Sequence, residues 1–165
     1  MRQIFLYKSV VFCLNLLYND DIAKLGEARM KSLSEKDVES TIEFVKLNPI
    51  ENVAEKVLFI LGFKSSLLGT KYIRDGIVTL YNNEHESYRT MYGKIADAHK
   101  TTHTCVERSI RHAINDCYKS GYLERLNELF RCQIVDPAYA PTNSEFISAI
   151  CTWVHIEKNQ APKGA

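Results

Sequence analysis

Four polar side chains in one short stretch of the chain have the types and the spacing that contacts with DNA bases require. They are Thr104, Glu107, Arg108 and Arg111. A helix places positions i, i+3, i+4 and i+7 on one face, so all four side chains can point outward together. Arginine can donate two hydrogen bonds to O6 and N7 of guanine, and glutamate can accept one from N4 of cytosine. The stretch 101–114 therefore predicts a helix that contacts base edges in the major groove of DNA.

The same spacing also fits a solvent-exposed face without a binding role. Glu107 and Arg111 would then form an ion pair between positions i and i+4. Cys105 beside His103 and Glu107 raises a further alternative, a nucleophilic site, but the sequence shows neither an orienting acid nor an oxyanion site. We therefore expect no catalytic residues and no enzyme activity.

A helix-turn-helix pattern surrounds this polar face and would position it. Tyr92 begins the pattern, and Ile95 with the small Ala96 would let the first helix cross closely over the second. Thr102 is the expected N-cap of the second helix, and Lys100 stands in the turn where glycine is often found. The inward positions of the second helix recur at helical spacing. They are Val106, Ile110, Ala113, Ile114 and Cys117.

The rest of the chain also predicts helices, because no stretch shows sustained period-two alternation. Asn48 is expected to cap a helix that Pro49 begins. Ser34 with Asp37 forms a variant of a capping box, and Thr142 with Glu145 forms a full one. The expected helices cover about 3–18, 34–47, 49–61, 70–81, 88–99, 103–119, 122–130 and 143–158. The sequence therefore predicts an all-α fold.

Composition limits the function classes. The formal net charge is only +1, so a basic surface for DNA must be local to one face. The cysteines are odd in number, scattered and without a C-x-x-C pair, which is typical of reduced cysteines in a cytoplasmic protein. Cys13, Cys117 and Cys151 lie in apolar surroundings and are expected in the core. The histidines do not cluster at metal-ligand spacing, so we expect no metal and no cofactor.

The N-terminal segment needs separate attention, because residues 4–18 are mostly apolar. Lys8 interrupts this segment, and no small-residue cleavage site of a signal peptide follows it. The segment is also shorter than the ~20 apolar residues that a membrane span needs. We expect a soluble or partner-binding helix over residues 3–18, and no membrane association.

Several motifs resemble, in chain order, the C-terminal effector domain of the stage-zero sporulation master response regulator family. The matching segments are LGFKSSLLGTKYIRDGI at 61–77, Tyr81-Asn82, YGKIA at 92–96, VERSIRHAI at 106–114 and PTNSEFI at 141–147. This resemblance implies a six-helix domain that contains a helix-turn-helix and binds a TGTCGAA-like box in double-stranded DNA. It divides the chain into a helical N-terminal segment over 1–50, a DNA-binding domain over 51–160 and a disordered tail over 161–165.

The resemblance also implies roles for individual residues. Glu107 and Arg108 match the family's base-contacting VER motif. The expected base-contacting residues are Thr104, Cys105, Glu107, Arg108 and Arg111. The expected contacts with the DNA backbone are Lys100, Thr102, His103, His112, Thr142, Asn143 and Ser144.

The chain departs from the family pattern at Cys105. The family has an arginine just before the VER motif, and that arginine contacts a guanine. Because a bidentate arginine–guanine contact discriminates between bases by ~1–3 kcal/mol, we expect relaxed or shifted specificity here.

A second departure concerns the N-terminal segment over 1–50. The family's regulator carries a phosphoreceiver before its effector domain, whereas this segment predicts helices without a parallel sheet. Asp20 and Asp21 are expected to be surface acids rather than a metal pocket. The alternative to a DNA-binding regulator is therefore a protein-interaction modulator that keeps the effector fold. The helix over 3–18 would pair it with a second copy or with a related regulator.

Overall fold

The structure, a computed structural model, describes residues 32–160 of the chain, and every regular element in this range is helical. The elements are α1 Glu35–Leu47, α2 Ile50–Ile60, α3 Leu68–Asn82, α4 Tyr88–Ala98, α5 His103–Lys119, a short 3-10 turn Tyr122–Glu124, α6 Arg125–Phe130 and α7 Asn143–Asn159. This confirms the all-α prediction. The predicted helix over 3–18, Cys13 and the tail over 161–165 lie outside the described residues.

Two helices begin with the local sequence that predicts them. Ser34 accepts a hydrogen bond from the N–H of Asp37, whose carboxylate accepts from the N–H of Ser34, so α1 has a full capping box. Thr142 and Glu145 form the same reciprocal arrangement at the start of α7. Each box satisfies two backbone donors that a helix start would otherwise leave unpaired.

The start of α2 differs by one position from the prediction. Pro49 is extended, with ψ 158°, and is the N-cap, so α2 begins at Ile50. Asn48 instead ends α1, because its N–H and its side-chain amide both donate to the carbonyl oxygen of Phe44. The prediction that Asn48 caps the second helix is therefore wrong.

Helix α1 belongs with the helices that follow it. Of the two units into which the chain divides, the second begins at Leu33 and is compact. In the second unit α1 packs on α2 and α7, and Val45 is fully buried in the shared core. Helix α1 therefore shares its core with the helices that follow it.

The core is built around α3 and α5. Helix α3 packs against α2, α4, α5 and α7, and its closest association is with α5. Many of the largest fully buried side chains come from α3, α5 and α7. They include Ile73, Ile77, Ile110, Ile114, Phe146, Ile147 and Ile150. Because α5 is held from one side by this core, its opposite side is free to face outward.

Two of the cysteines are buried, as expected from their apolar surroundings. Burial raises the pKa of Cys117 to about 12, and its thiol lies 2.9 Å from the carbonyl oxygen of Leu61. Burial likewise raises the pKa of Cys151 to about 12. Cys105 and Cys132 are exposed. Because the thiolate is the reactive form, the two buried thiols are inert at neutral pH.

Candidate nucleic-acid interface

Helices α4 and α5 form the predicted helix-turn-helix. Between them Lys100 has φ 51°, in the left-handed region that glycine ordinarily occupies. The N–H of Thr101 donates to the carbonyl oxygen of Ala96 at 2.9 Å, and the N–H of Lys100 donates to that of Asp97 at 3.3 Å. These two bonds form a Schellman motif that ends α4. Lys100 therefore adopts the conformation of the glycine that it replaces.

The inward face of α5 is the one that the sequence predicts. Its five apolar positions are at most 3% exposed, and Ile95 and Ala96 of α4 are buried opposite them. The five are Val106, Ile110, Ala113, Ile114 and Cys117. This burial fixes the rotation of α5 about its own axis, so it also determines which side chains point outward.

The outward face of α5 carries most of the predicted base-contacting residues. Thr104, Cys105, Glu107 and Arg108 are exposed. No ion pair or side-chain hydrogen bond within residues 32–160 engages Glu107 or Arg108, so both side chains are available to a ligand. The Thr102 hydroxyl caps α5 by accepting from the N–H of Cys105 at 3.2 Å.

An open groove of about 800 Å³ runs between this face and the start of α7. It brings together two segments that the sequence separates by about thirty positions. Its lining residues are Tyr88, Tyr92, Thr104, Glu107, Arg108, Arg111, Ala140, Thr142, Asn143 and Ser144. The predicted contacts Lys100, Thr102, Cys105 and His112 are exposed but do not line the groove.

Arg111 is engaged by the protein rather than directed outward. Its guanidinium donates to the carbonyl oxygens of Pro141 and Ala140, the latter at 3.4 Å, and to Oδ1 of Asn115 at 2.8 Å. The alternative ion pair with Glu107 is therefore not formed. Arg111 instead connects α5 to the loop that leads into α7.

Asn143, expected at the DNA backbone, has a buried side chain that is 8% exposed. Its Nδ2 donates to the backbone carbonyl oxygen of Glu107 at 3.0 Å, so the start of α7 is joined directly to α5. Its neighbours Thr142 and Ser144 are exposed. Only these two side chains of the predicted α7 set therefore reach solvent.

His103, also expected at the DNA backbone, packs against α4. Its ring meets that of Tyr92 edge-on with centroids 5.1 Å apart, and its Nε2 is buried without a hydrogen-bond partner among the described residues. Burial raises the pKa of the Tyr92 hydroxyl. The sequence predicted the position of this histidine on α5 but not the direction of its ring.

Tyr88 is a groove residue that the sequence analysis did not identify. Its hydroxyl donates to the backbone carbonyl oxygen of Ser144 at 3.0 Å and also contacts the hydroxyl of Ser148. Tyr88 lies four positions before Tyr92 on α4, so both rings share one helix face. The spacing of the two tyrosines was the sequence signal that could have identified Tyr88. The hydrogen bond of Tyr88 connects α4 to α7 across the groove.

The comparison with known families agrees with this geometry. Residues 54–154 match the family model described as Sporulation initiation factor Spo0A C terminal. The chain belongs to this family. The match confirms the resemblance seen in the motifs, and it identifies the matched residues as a DNA-binding domain of a sporulation regulator. It includes the helix-turn-helix and the start of α7, the two sides of the groove in this sporulation initiation factor domain.

The described range lacks two other features, a cluster of metal-binding side chains and a membrane-spanning helix. Residues 32–160 contain no group of three or more His, Cys, Asp or Glu side chains placed to hold a metal ion. None of the helices in this range combines the length and the apolar character that a bilayer span requires.

Proposed function

We propose that this protein is a sequence-specific transcription regulator whose helix α5 enters the major groove of double-stranded DNA. The observation that carries the proposal is the availability of Glu107 and Arg108. They are exposed on a helix whose rotation is fixed by a buried inner face, and no group within residues 32–160 pairs with either side chain. Arg108 contacts a guanine through O6 and N7, and Glu107 accepts from a cytosine.

The other exposed residues place α5 on the duplex. Thr104 lies beside the two base-contacting residues and lines the same groove. Lys100, Thr102 and His112 are exposed near the ends or the flank of α5 and contact backbone phosphates. At the start of α7 the hydroxyls of Thr142 and Ser144 approach a phosphate, which the N-terminal end of a helix also attracts.

The target is a TGTCGAA-like box with altered specificity at one position. Cys105 is exposed on α5 where the family has a base-contacting arginine. A thiol donates only one weak hydrogen bond, so the base pair opposite Cys105 is selected less strongly than in the family.

We propose that residues 1–50 do not supply phosphorylation control. The segment before the matched domain predicts helices rather than the parallel sheet of a phosphoreceiver, and its described part, α1, is a helix packed on α2 and α7. The protein acts in the cytoplasm without a cofactor, and the helix predicted over 3–18 pairs two copies or a copy with a related regulator.

A gel-shift series at increasing salt tests the proposal. A duplex with the TGTCGAA box should bind more tightly than a scrambled duplex, and log K should fall with log salt by about 0.9 for each phosphate contact. Arg108→Ala should bind both duplexes equally. Lys36→Ala is the control, since it removes a positive charge from the exposed part of α1.

Two observations favour the second candidate, a protein-interaction modulator that keeps the effector fold. These are Cys105 in place of the arginine and the net charge of only +1. This candidate predicts equal, weak binding of the boxed and scrambled duplexes by the wild-type protein. The same gel-shift series therefore decides between the two candidates.

A further inference from the structure

Two side-chain bridges join the start of α7 to the DNA-contacting helix α5. Arg111 extends from α5 to the carbonyl oxygens of Ala140 and Pro141, the last residues before the cap of α7. Asn143 extends in the opposite direction, from α7 to the backbone carbonyl oxygen of Glu107. One bridge thus holds the loop before the cap, and the other holds the first residue of the helix.

The guanidinium of Arg111 has no two-bond edge left for a base. A bidentate contact uses two neighbouring nitrogens of the guanidinium. Nη2 is always one of them, and the other is either Nη1 or Nε. Nη2 has two hydrogens, and it already donates to Asn115 at 2.8 Å and to Ala140 at 3.4 Å. A bidentate contact with guanine would therefore require Arg111 to give up its bond to Asn115 or its bonds to the loop.

Asn143 is equally committed to the protein. Its side chain is more than nine-tenths buried, and its amide donates at 3.0 Å to a backbone atom of Glu107. This bond does not involve the Glu107 side chain, which stays exposed. Asn143 can therefore fix the distance between the start of α7 and the base-contacting face without occupying that face.

We propose that Arg111 and Asn143 are positioning residues that hold the start of α7 in register with Glu107 and Arg108. The inference rests on the proposed function and assigns Arg111 a role other than base contact. The phosphate contact of Thr142 and Ser144 and the base contacts of α5 then form one rigid surface. Loss of either bridge lets the phosphate-contacting end move while the base-contacting side chains remain.

The test uses a TGTCGAA duplex and a set of duplexes in which one phosphate at a time is a neutral methylphosphonate. Neutralising the phosphate nearest α7 should lower the affinity of the wild-type protein for the duplex about tenfold, as expected for the loss of a hydrogen bond to a charged group. With Arg111→Met this penalty should largely disappear, since the contact is no longer in place. The ratio of affinities for the box and for its single-base variants should not change.

Asn143→Ala should give the same signature, because it removes the second bridge to the same helix. Arg111→Lys keeps the charge but lacks the planar guanidinium, and it should also lose the phosphate penalty. It serves as the second variant if Arg111→Met does not fold, which thermal unfolding will show. Lys36→Met and Asn52→Ala, both at exposed positions of other helices, are the matched controls and should keep the wild-type profile.

The opposite pattern would overturn the proposal. If Arg111→Met keeps the phosphate penalty but loses preference at one base pair, then Arg111 contacts a base. If the variants lower all affinities without changing the phosphate profile, the bridges serve folding alone. If the wild-type protein shows neither base preference nor a phosphate penalty, the proposed function fails together with this inference.

Discussion

Gly69 lies directly against the backbone of Ser109. A Cβ at Gly69 would be 2.0 Å from the carbonyl oxygen of Ser109 and 2.9 Å from the Cβ of Ala113. Helices α3 and α5 therefore cross in backbone contact at this point. Ser109 directly follows Arg108, so the close crossing determines how far α5 stands out from the core.

Gly69→Ala should destabilise the protein because the new methyl group meets backbone that cannot rotate away. Overpacking of this kind costs about 1–3 kcal/mol in the free energy of unfolding, measured by urea denaturation. Gly93→Ala is the control, since no atom lies within 4 Å of a Cβ at that helical position. It should stabilise by about 0.5–1 kcal/mol. Equal stabilities of the two variants would show that the crossing is not close.

Lys100→Gly should raise the stability of the protein and lower its affinity for DNA. The left-handed conformation at φ 51° costs a non-glycine residue about 1–2 kcal/mol, so glycine should raise the free energy of unfolding by an amount of that order. The same change removes a phosphate contact and should make the salt dependence of log K shallower by about 0.9. Lys100→Gln should show the same shallower salt dependence without the gain in stability. An unchanged salt slope in both variants would remove Lys100 from the interface.

Cys105→Arg should increase affinity for the TGTCGAA duplex, because it restores the arginine that the family places before the VER motif. The gain expected from one bidentate guanine contact is about 1–3 kcal/mol, or roughly five- to 150-fold. Cys132→Arg adds the same charge at the other exposed cysteine of the described residues and should have little effect. Equal gains would mean that the added charge matters and that α5 is placed wrongly on the DNA.

Alkylation of the cysteines gives an independent footprint of the interface. Iodoacetamide at neutral pH should modify the exposed Cys105 and Cys132 and spare Cys117 and Cys151, whose pKa values burial raises to about 12. A boxed duplex should protect Cys105 and leave Cys132 reactive, as measured by peptide mass spectrometry. Equal reactivity of Cys105 with and without DNA would contradict contact at this face.

The sequence predicted the features that depend on local chemistry. The period of apolar residues on α5 predicted which face is buried, and the pairs Ser34–Asp37 and Thr142–Glu145 predicted two helix starts. Near Asn48 the local signals conflicted. Asparagine can begin one helix or end another, and here its amide bonds back to Phe44 at 2.9 Å.

The sequence could not predict contacts that depend on the path of the chain. Arg111 and Asn143 are outward candidates by residue type, yet their partners at Pro141 and Glu107 lie 30 and 36 positions away. Their direction is determined by the loop between α6 and α7, which has no periodic pattern. The glycine at position 69 was visible, but the helix that crosses it could be identified only from the packed core.

Helix α5 of this sporulation initiation factor domain is expected to select DNA sequence through Glu107 and Arg108. A selection of bound duplexes from a random library, carried out with the intact protein and with Arg108→Ala, tests it most directly. We expect the wild-type protein to enrich a TGTCGAA-like motif, with weak preference at the base pair opposite Cys105, and Arg108→Ala to enrich no motif. A wild-type pool as random as the starting library, or the same motif enriched by Arg108→Ala, would contradict it.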